Sequence, residues 1–82
     1  PNALWQSRCR NKRISVNPDH ADFPALLAEA MDFVQACEWD TSKAAGRLGC
    51  THSQLVRFLG VEPHAMSAVN SERVARGLRR LK

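Results

Sequence analysis

Apolar residues recur at spacings of three and four over residues 23–38, and this period predicts an amphipathic helix. The apolar positions are Phe23, Leu26, Leu27, Ala30, Met31, Val34 and Cys37. The polar positions are Glu29, Asp32, Gln35 and Glu38. Asp22 is a suitable N-cap, and Pro24 is tolerated because the first helical turn needs no backbone donor there. We expect this helix to be the longest element of the fold.

Two shorter apolar patterns follow over residues 41–59, separated by a glycine. Their apolar positions are Ala44, Ala45 and Leu48 in the first, and Leu55, Phe58 and Leu59 in the second. Gly49 ends the first helix because only glycine enters the left-handed region at little cost. Thr51 can cap the second helix, with Cys50 as a small apolar plug in the turn. The pattern predicts helices over 41–48 and 52–59 that cross as a helix-turn-helix.

The ends of the chain carry weaker structural signals. Glu62 and Pro63 predict the start of a fourth helix, because proline is favoured at the first helical position, and Gly77 predicts its end. Residues 1–20 show no helical period, and we interpret them as a basic, flexible N-terminal arm. No alternating strand pattern is visible. The sequence therefore predicts an all-α fold, a small four-helix domain over 21–82 that contains the helix-turn-helix.

The charges are divided unevenly along the chain. The formal net charge is +4, yet residues 21–40 hold five acids and no lysine or arginine. The basic candidates flank this acidic segment and are Arg8, Arg10, Lys12 and Arg13 on one side and Arg73, Arg76, Arg79, Arg80 and Lys82 on the other. Basic flanks of this kind favour a polyanionic partner, such as RNA contacted through its backbone and shape. Solvated surface charge is the alternative.

The helix-turn-helix supplies a second set of candidate contacts. In the usual docking geometry the start of the second helix faces the nucleic acid. The residues expected there are His52, Ser53, Gln54 and Arg57, with Lys43 and Arg47 contributed by the preceding helix. Arg57 is suited to guanine or phosphate, and His52 or Gln54 to a base edge. An ordinary αα-corner remains the alternative, and Trp5 either stacks on a base or packs against the helices.

Reactive chemistry is sparse in this sequence. The three cysteines are odd in number and widely spaced, which argues against a disulfide framework and favours a reducing cytoplasm. The cations beside Cys9 predict a lowered thiol pKa, but no histidine is fixed near it as a base. We therefore expect a noncatalytic protein with no metal, no cofactor, no small-molecule substrate and no membrane segment. Because the chain begins with Pro1, we expect it to be a piece of a longer protein.

Residues 40–59 resemble the C-terminal helix-turn-helix of the factor-for-inversion-stimulation family. The matching positions are Asp40, Ser42, Lys43, Ala44, Ala45, Leu48, Gly49, Leu55, Arg57 and Leu59. Cys50 and Val56 depart from the family pattern, and Val56 does so at a position that is often polar in DNA readers. This resemblance implies a DNA-binding domain of a transcriptional regulator.

More of the chain is similar to the C-terminal region of bacterial peptide chain release factor-like proteins. The matching residues are Ser7, Asn11 and Lys12, then Ala44, Ala45, Leu48, Gly49, Ser53, Gln54, Leu55, Val56 and Arg57, and finally Asn70, Arg73, Ala75, Arg76, Gly77, Leu78 and Arg79. The family's Gly-Gly-Gln hydrolysis loop is absent from these residues, so no catalytic residue is implied.

The release-factor resemblance implies a module of a ribosome-linked protein. We expect it to contact ribosomal RNA or tRNA in translation termination or ribosome rescue. A sequence-specific DNA-binding domain is the first alternative. A helical bundle that docks a basic protein through its acidic helix is the second.

Overall fold

The computed structural model describes residues 1–81, so Lys82, which belongs to the predicted basic tail, lies outside them. The chain runs in the order α1 (Ala3–Arg8), β1 (Cys9–Arg10), β2 (Arg13–Ile14), α2 (Phe23–Ala36), α3 (Thr41–Leu48), α4 (His52–Gly60) and α5 (Pro63–Ala75). The two strands pair antiparallel, with Cys9 opposite Ile14 and Arg10 opposite Arg13. The fold is thus mostly helical, with one small hairpin.

The expectation of an all-α, four-helix fold is therefore correct for most of the chain and wrong at the N-terminus. Residues 1–20 were expected to be irregular, but they contain α1 and the β-hairpin. Asn2 caps α1, because its side-chain oxygen accepts from the Trp5 amide at 2.8 Å. No helix in the described part of the chain has both the length and the apolar character that crossing a membrane demands.

Helix α3 has the bounds predicted from the sequence, and α4 begins at the predicted His52 but ends at Gly60, one residue later than predicted. The Asp40 side chain accepts from the Lys43 amide at 3.0 Å, and Thr51 accepts from the Gln54 amide at 3.1 Å. Gly49 has φ 80°, the left-handed conformation that favours glycine. The next amide, of Cys50, donates back to the carbonyl of Ala45 at 3.1 Å, as in a Schellman motif.

The core lies between α2 and the α3–α4 pair. The inward face of α2 consists of Phe23, Leu26, Ala30 and Val34, and Leu48, Leu55, Phe58 and Leu59 pack with them. Trp5 is fully buried in the same core, with its ring 5.7 Å from that of Phe58 in an edge-to-face arrangement. The N-terminal segment therefore contributes the largest side chain of the core, and Trp5 packs back rather than pointing to solvent.

Helix α2 ends two residues before its predicted end at Glu38. The Glu38 amide donates to the carbonyl of Gln35 and the Trp39 amide to that of Val34, at 3.0 and 2.8 Å. This is again a Schellman motif, but Glu38 occupies the left-handed position with φ 55°, and Trp39 follows with φ 66°. Because such conformations cost non-glycine residues energy, the end of α2 is held by its tertiary packing rather than by local preference.

Candidate nucleic-acid interface

The N-terminal segment runs along the α3–α4 turn and is attached to it by four hydrogen bonds. Trp5 Nε1 donates to the Leu48 carbonyl (2.8 Å), Cys9 Sγ to the Gly49 carbonyl (3.4 Å), the Thr51 amide to the Lys12 carbonyl (3.2 Å), and the Ile14 amide to Gln54 Oε1 (3.3 Å). Residues further along the N-terminal segment contact residues further along the turn and α4. As a result, the hairpin lies directly beside the N-terminus of α4.

The hairpin tip, which we define as residues 10–13, concentrates positive charge. Asn11 and Lys12 form its two-residue turn with φ 52° and 64°, and positive φ at both positions is what a type I′ turn requires. Arg10 and Arg13 are direct cross-strand partners, so their side chains leave the same face of the hairpin. All of the tip's cations are exposed, and within residues 1–81 they form no ion pair.

The outward side of α4 carries the residues predicted for the second helix of the motif. His52, Ser53 and Arg57 are exposed, whereas Gln54 is half-buried. His52 Nε2 lies 2.8 Å from the hydroxyl of the buried Thr41, which ties the start of α4 to the start of α3. The Gln54 side chain accepts from the hairpin, so one of its groups holds β2 in place.

A groove separates α4 from the C-terminal segment, and we name it the α4 groove. Its lining residues are His52, Ser53, Val56, Arg57, Arg80 and Leu81, and its volume is about 440 Å³. The far wall is fixed by Asn70, which is 4% exposed, since its amide donates to the Leu81 carbonyl (3.1 Å) and accepts from the Leu81 amide (2.6 Å). The residues predicted to form a basic tail are therefore ordered up to Leu81 and form the far wall of the α4 groove.

Three of the predicted contact arginines are engaged within the protein. Arg8 forms an ion pair with Asp22 at 3.0 Å. Arg76 pairs with Glu72 at 2.6 Å, and its guanidinium lies 5.6 Å from the centre of the Trp39 ring.

Arg73 is engaged most fully and acts as a structural brace. It donates from Nη1 to the Trp39 carbonyl and from Nε to the Arg79 carbonyl, both at 2.7 Å. Arg73 thereby joins α5 to the α2–α3 connection and to the C-terminal segment. Arg8, Arg73 and Arg76 are therefore not part of the candidate interface.

The remaining predicted cations lie at different places. Arg57 and Arg80 are brought together by the α4 groove. Lys43 and Arg47 are exposed on α3, and Arg79 is exposed beside Arg80, but none of these three lines that groove. The interface thus has three parts: the hairpin tip, the outward side of α4 and the α4 groove.

Two parts of this interface were missed at the level of the sequence. The hairpin tip was missed because each strand has only two residues, too few to show an alternating pattern. Its available signal was Asn11, a residue type that tolerates the left-handed conformation. The ordered wall at Leu81 was missed because it depends on Asn70, which lies 11 residues away on another element.

Cys9 and Cys50 do not have the environment of reactive thiols. Burial raises the pKa of the Cys9 thiol and outweighs the opposing influence of the nearby Trp5 indole, so the predicted lowering by nearby cations is wrong. Burial, and secondarily the neighbouring Cys9, raises the pKa of Cys50 to about 11. Among residues 1–81, no three histidine, cysteine or acidic side chains converge to hold a metal ion.

Comparison of the chain with protein-family models, curated proteins and solved structures finds no match. The candidate interface is therefore defined by the geometry and charge of this chain alone. Its parts share one property, which is that each carries exposed cations on ordered backbone around α4.

Proposed function

We propose that this chain is a noncatalytic nucleic-acid-binding module that contacts structured RNA. Helices α3 and α4 act in it as a helix-turn-helix, and ribosomal RNA or tRNA is the target. The module belongs to a peptide chain release factor-like protein that functions in translation termination or ribosome rescue. This parentage rests on the sequence resemblance at the turn, at α4 and at the end of α5.

The observation that carries the proposal is the docking of the hairpin tip beside α4. The Thr51 amide donates to the Lys12 carbonyl, so the cap residue of α4 is bonded to the turn of the hairpin. Arg10 and Arg13 are held opposite each other with no acid paired to either among the described residues. Like charges facing each other across strands destabilise a hairpin, and a bound phosphate would relieve that repulsion.

Contact with backbone phosphates fits this interface better than the reading of base edges. The side chain of Gln54 already accepts a hydrogen bond from the hairpin, and Val56 has no group to read a base. The exposed cations, in contrast, lie on both sides of α4. Phosphate contacts fix position without carrying sequence information, and structured RNA is recognised mainly through shape and backbone.

A DNA-binding function is the second candidate, and it is favoured by one observation. His52 is exposed at the start of α4, the part that enters the major groove in a helix-turn-helix, and Arg57 is exposed in the last turn of the same helix. Under this alternative, a duplex of defined sequence binds more tightly than any structured RNA, and Arg57→Ala relaxes that selectivity.

The test is the salt dependence of RNA binding, measured by fluorescence anisotropy on a labelled stem-loop. Each neutralised phosphate steepens the fall of affinity with salt, so a cation that contacts phosphate lowers the slope by about one when it is removed. We expect the double variant Arg10→Gln/Arg13→Gln to lower the slope by about two and to weaken binding at least tenfold.

The control is Arg76→Gln, which removes a cation that is already paired with Glu72. This variant should bind the stem-loop with the same slope as the unmodified chain. The RNA proposal fails if the stem-loop is not bound at low salt, or if the hairpin variant and the control change the slope equally. If the chain bound a duplex DNA of defined sequence more tightly than the RNA stem-loop, the DNA-binding function would replace the RNA proposal.

A further inference from the structure

The α4 groove is a built feature rather than a gap beside a loose tail. Its near wall is a helix, and its far wall is fixed by the two hydrogen bonds between Asn70 and the backbone of Leu81. Arg73 Nε adds a third bond to the same segment, at the Arg79 carbonyl. Asn70 is buried, and a buried side-chain amide without hydrogen-bond partners would destabilise the fold. The backbone of Leu81 supplies those partners.

The lining of the groove combines three kinds of chemistry. Val56 and Leu81 supply apolar surface, and Arg57 and Arg80 supply two cations. His52 and Ser53 add polar groups at the end where α4 begins. No acidic residue lines the groove, so its charge complements an anion. Its volume of about 440 Å³ lies within the range of small-ligand sites.

We propose that the α4 groove receives one unpaired nucleotide of the bound RNA. The base lies on the Val56 and Leu81 surface, and the guanidinium groups of Arg57 and Arg80 contact the base face and the adjacent phosphates. This inference rests on the proposed RNA-binding function and deepens it, because it names the feature of RNA that the module selects.

An unpaired nucleotide fits this lining better than either a bare phosphate or a base pair. A bare phosphate would not contact the apolar surface of Val56 and Leu81 favourably. A base within a duplex has both faces stacked, whereas a splayed base offers a face to arginine planes and an edge to hydrogen-bonding groups. His52 and Ser53 line the same groove and supply polar groups for that edge, Nδ1 of His52 among them, since its Nε2 is bonded to Thr41.

The experiment compares two labelled RNA stem-loops that differ only in one bulged nucleotide in the stem. A base face packed against a guanidinium at an exposed site shifts affinity by about two- to fivefold, so we expect the bulged RNA to bind about three times more tightly. Arg80→Gln should abolish this preference. The matched control is Arg79→Gln, which removes the same charge from the neighbouring exposed position that does not line the groove.

Each outcome bears on a different claim. Arg79→Gln should weaken both RNAs equally and keep the preference for the bulge. If both RNAs bind the unmodified chain equally, or if the two arginine variants lose the preference alike, the groove proposal is overturned while the RNA-binding function stands. If neither RNA binds at low salt, both proposals fail. Displacement of bulged RNA by an acidic peptide, but not by a single-stranded RNA trimer, would also overturn the groove proposal.

Discussion

Arg10 and Arg13 face each other as direct partners across a two-residue turn, with no acid paired to either within the described chain. A pair of like charges in this position destabilises the hairpin by a few tenths of a kcal/mol to about 1 kcal/mol. The same two charges therefore lower the stability of the hairpin and raise its affinity for an anion.

Arg13→Glu should separate these two effects. The new carboxylate faces Arg10 and replaces repulsion with attraction, so we expect the free energy of unfolding to rise by about 0.5 kcal/mol. RNA affinity should fall at least tenfold, because a phosphate contact is lost and a repelling charge is added. Urea denaturation and fluorescence anisotropy measure the two quantities. Arg13→Gln, which removes charge without adding an acid, should show the same trends at smaller size.

The indole of Trp5 is expected to be essential for attachment of the N-terminal segment. Trp5→Phe keeps a ring in the core but removes the donor to the Leu48 carbonyl, which is left buried without that partner. We expect a loss of about 2 kcal/mol and a fall in Tm of roughly 10 °C, measured by thermal denaturation. Trp39→Phe is the control, since Trp39 is only half-buried, and it should cost less than half as much. Equal losses would contradict the role assigned to the indole.

The end of α2 should be improved by glycine. Glu38 has φ 55°, so Glu38→Gly relieves a left-handed conformation, although glycine also gains freedom in the unfolded chain. The net effect should be a gain of about 0.5–1 kcal/mol in the free energy of unfolding, measured in urea. Glu38→Ala removes the same carboxylate while keeping the backbone conformation, and it should give no such gain. A similar gain in both variants would point to the charge instead.

Glu62 links the start of α5 to pH. Its carboxylate accepts from His64 at 3.1 Å and from the Ala65 amide at 2.8 Å, and these bonds, the first being the larger cause, hold its pKa below the ordinary value of 4.5. A lowered folded-state pKa means that the stabilisation is complete above 4.5 and is lost as the pH falls through the folded-state value.

Thermal denaturation of the unmodified chain and of Glu62→Gln should therefore differ at neutral pH and converge in acid. An NMR titration of the Glu62 carboxyl should show the lowered pKa directly. His64→Ala should move that pKa back towards its ordinary value, because only backbone amides, of residues 64 and 65, then remain as partners. A pKa at or above the ordinary value in the unmodified chain would contradict the capping geometry.

Local signals explain which helices were predictable from the sequence. Both ends of α3 and the start of α4 follow from Asp40, Gly49 and Thr51, which act on neighbouring backbone groups and need no distant partner. Gly77 has φ 74° just past α5 and was predicted in the same way. The end of α2 was not predictable, since Glu38 has no intrinsic preference for the conformation that packing imposes on it.

The candidate site was less predictable than the helices. The sequence identified the cations, but it had no means to show which of them are used inside the protein. Arg73 braces elements that lie 34 residues apart, and the pairing of Arg8 with Asp22 depends on where α1 docks. The α4 groove likewise depends on Asn70 of α5, which holds the backbone of Leu81 opposite α4.

The bond from Trp5 to Leu48 also has a consequence for the order of folding. It joins residues 43 positions apart, whereas the α3–α4 turn closes within a few residues. Closing a loop of that length costs about 3 kcal/mol of chain entropy before any contact is gained. We therefore expect the three central helices to assemble first, and the N-terminal segment to add its hairpin only once they provide a surface. The indole would then report the final step of refolding, and transient release of this segment would detach the hairpin and uncover the Trp5 site in the core while α2, α3 and α4 stay assembled.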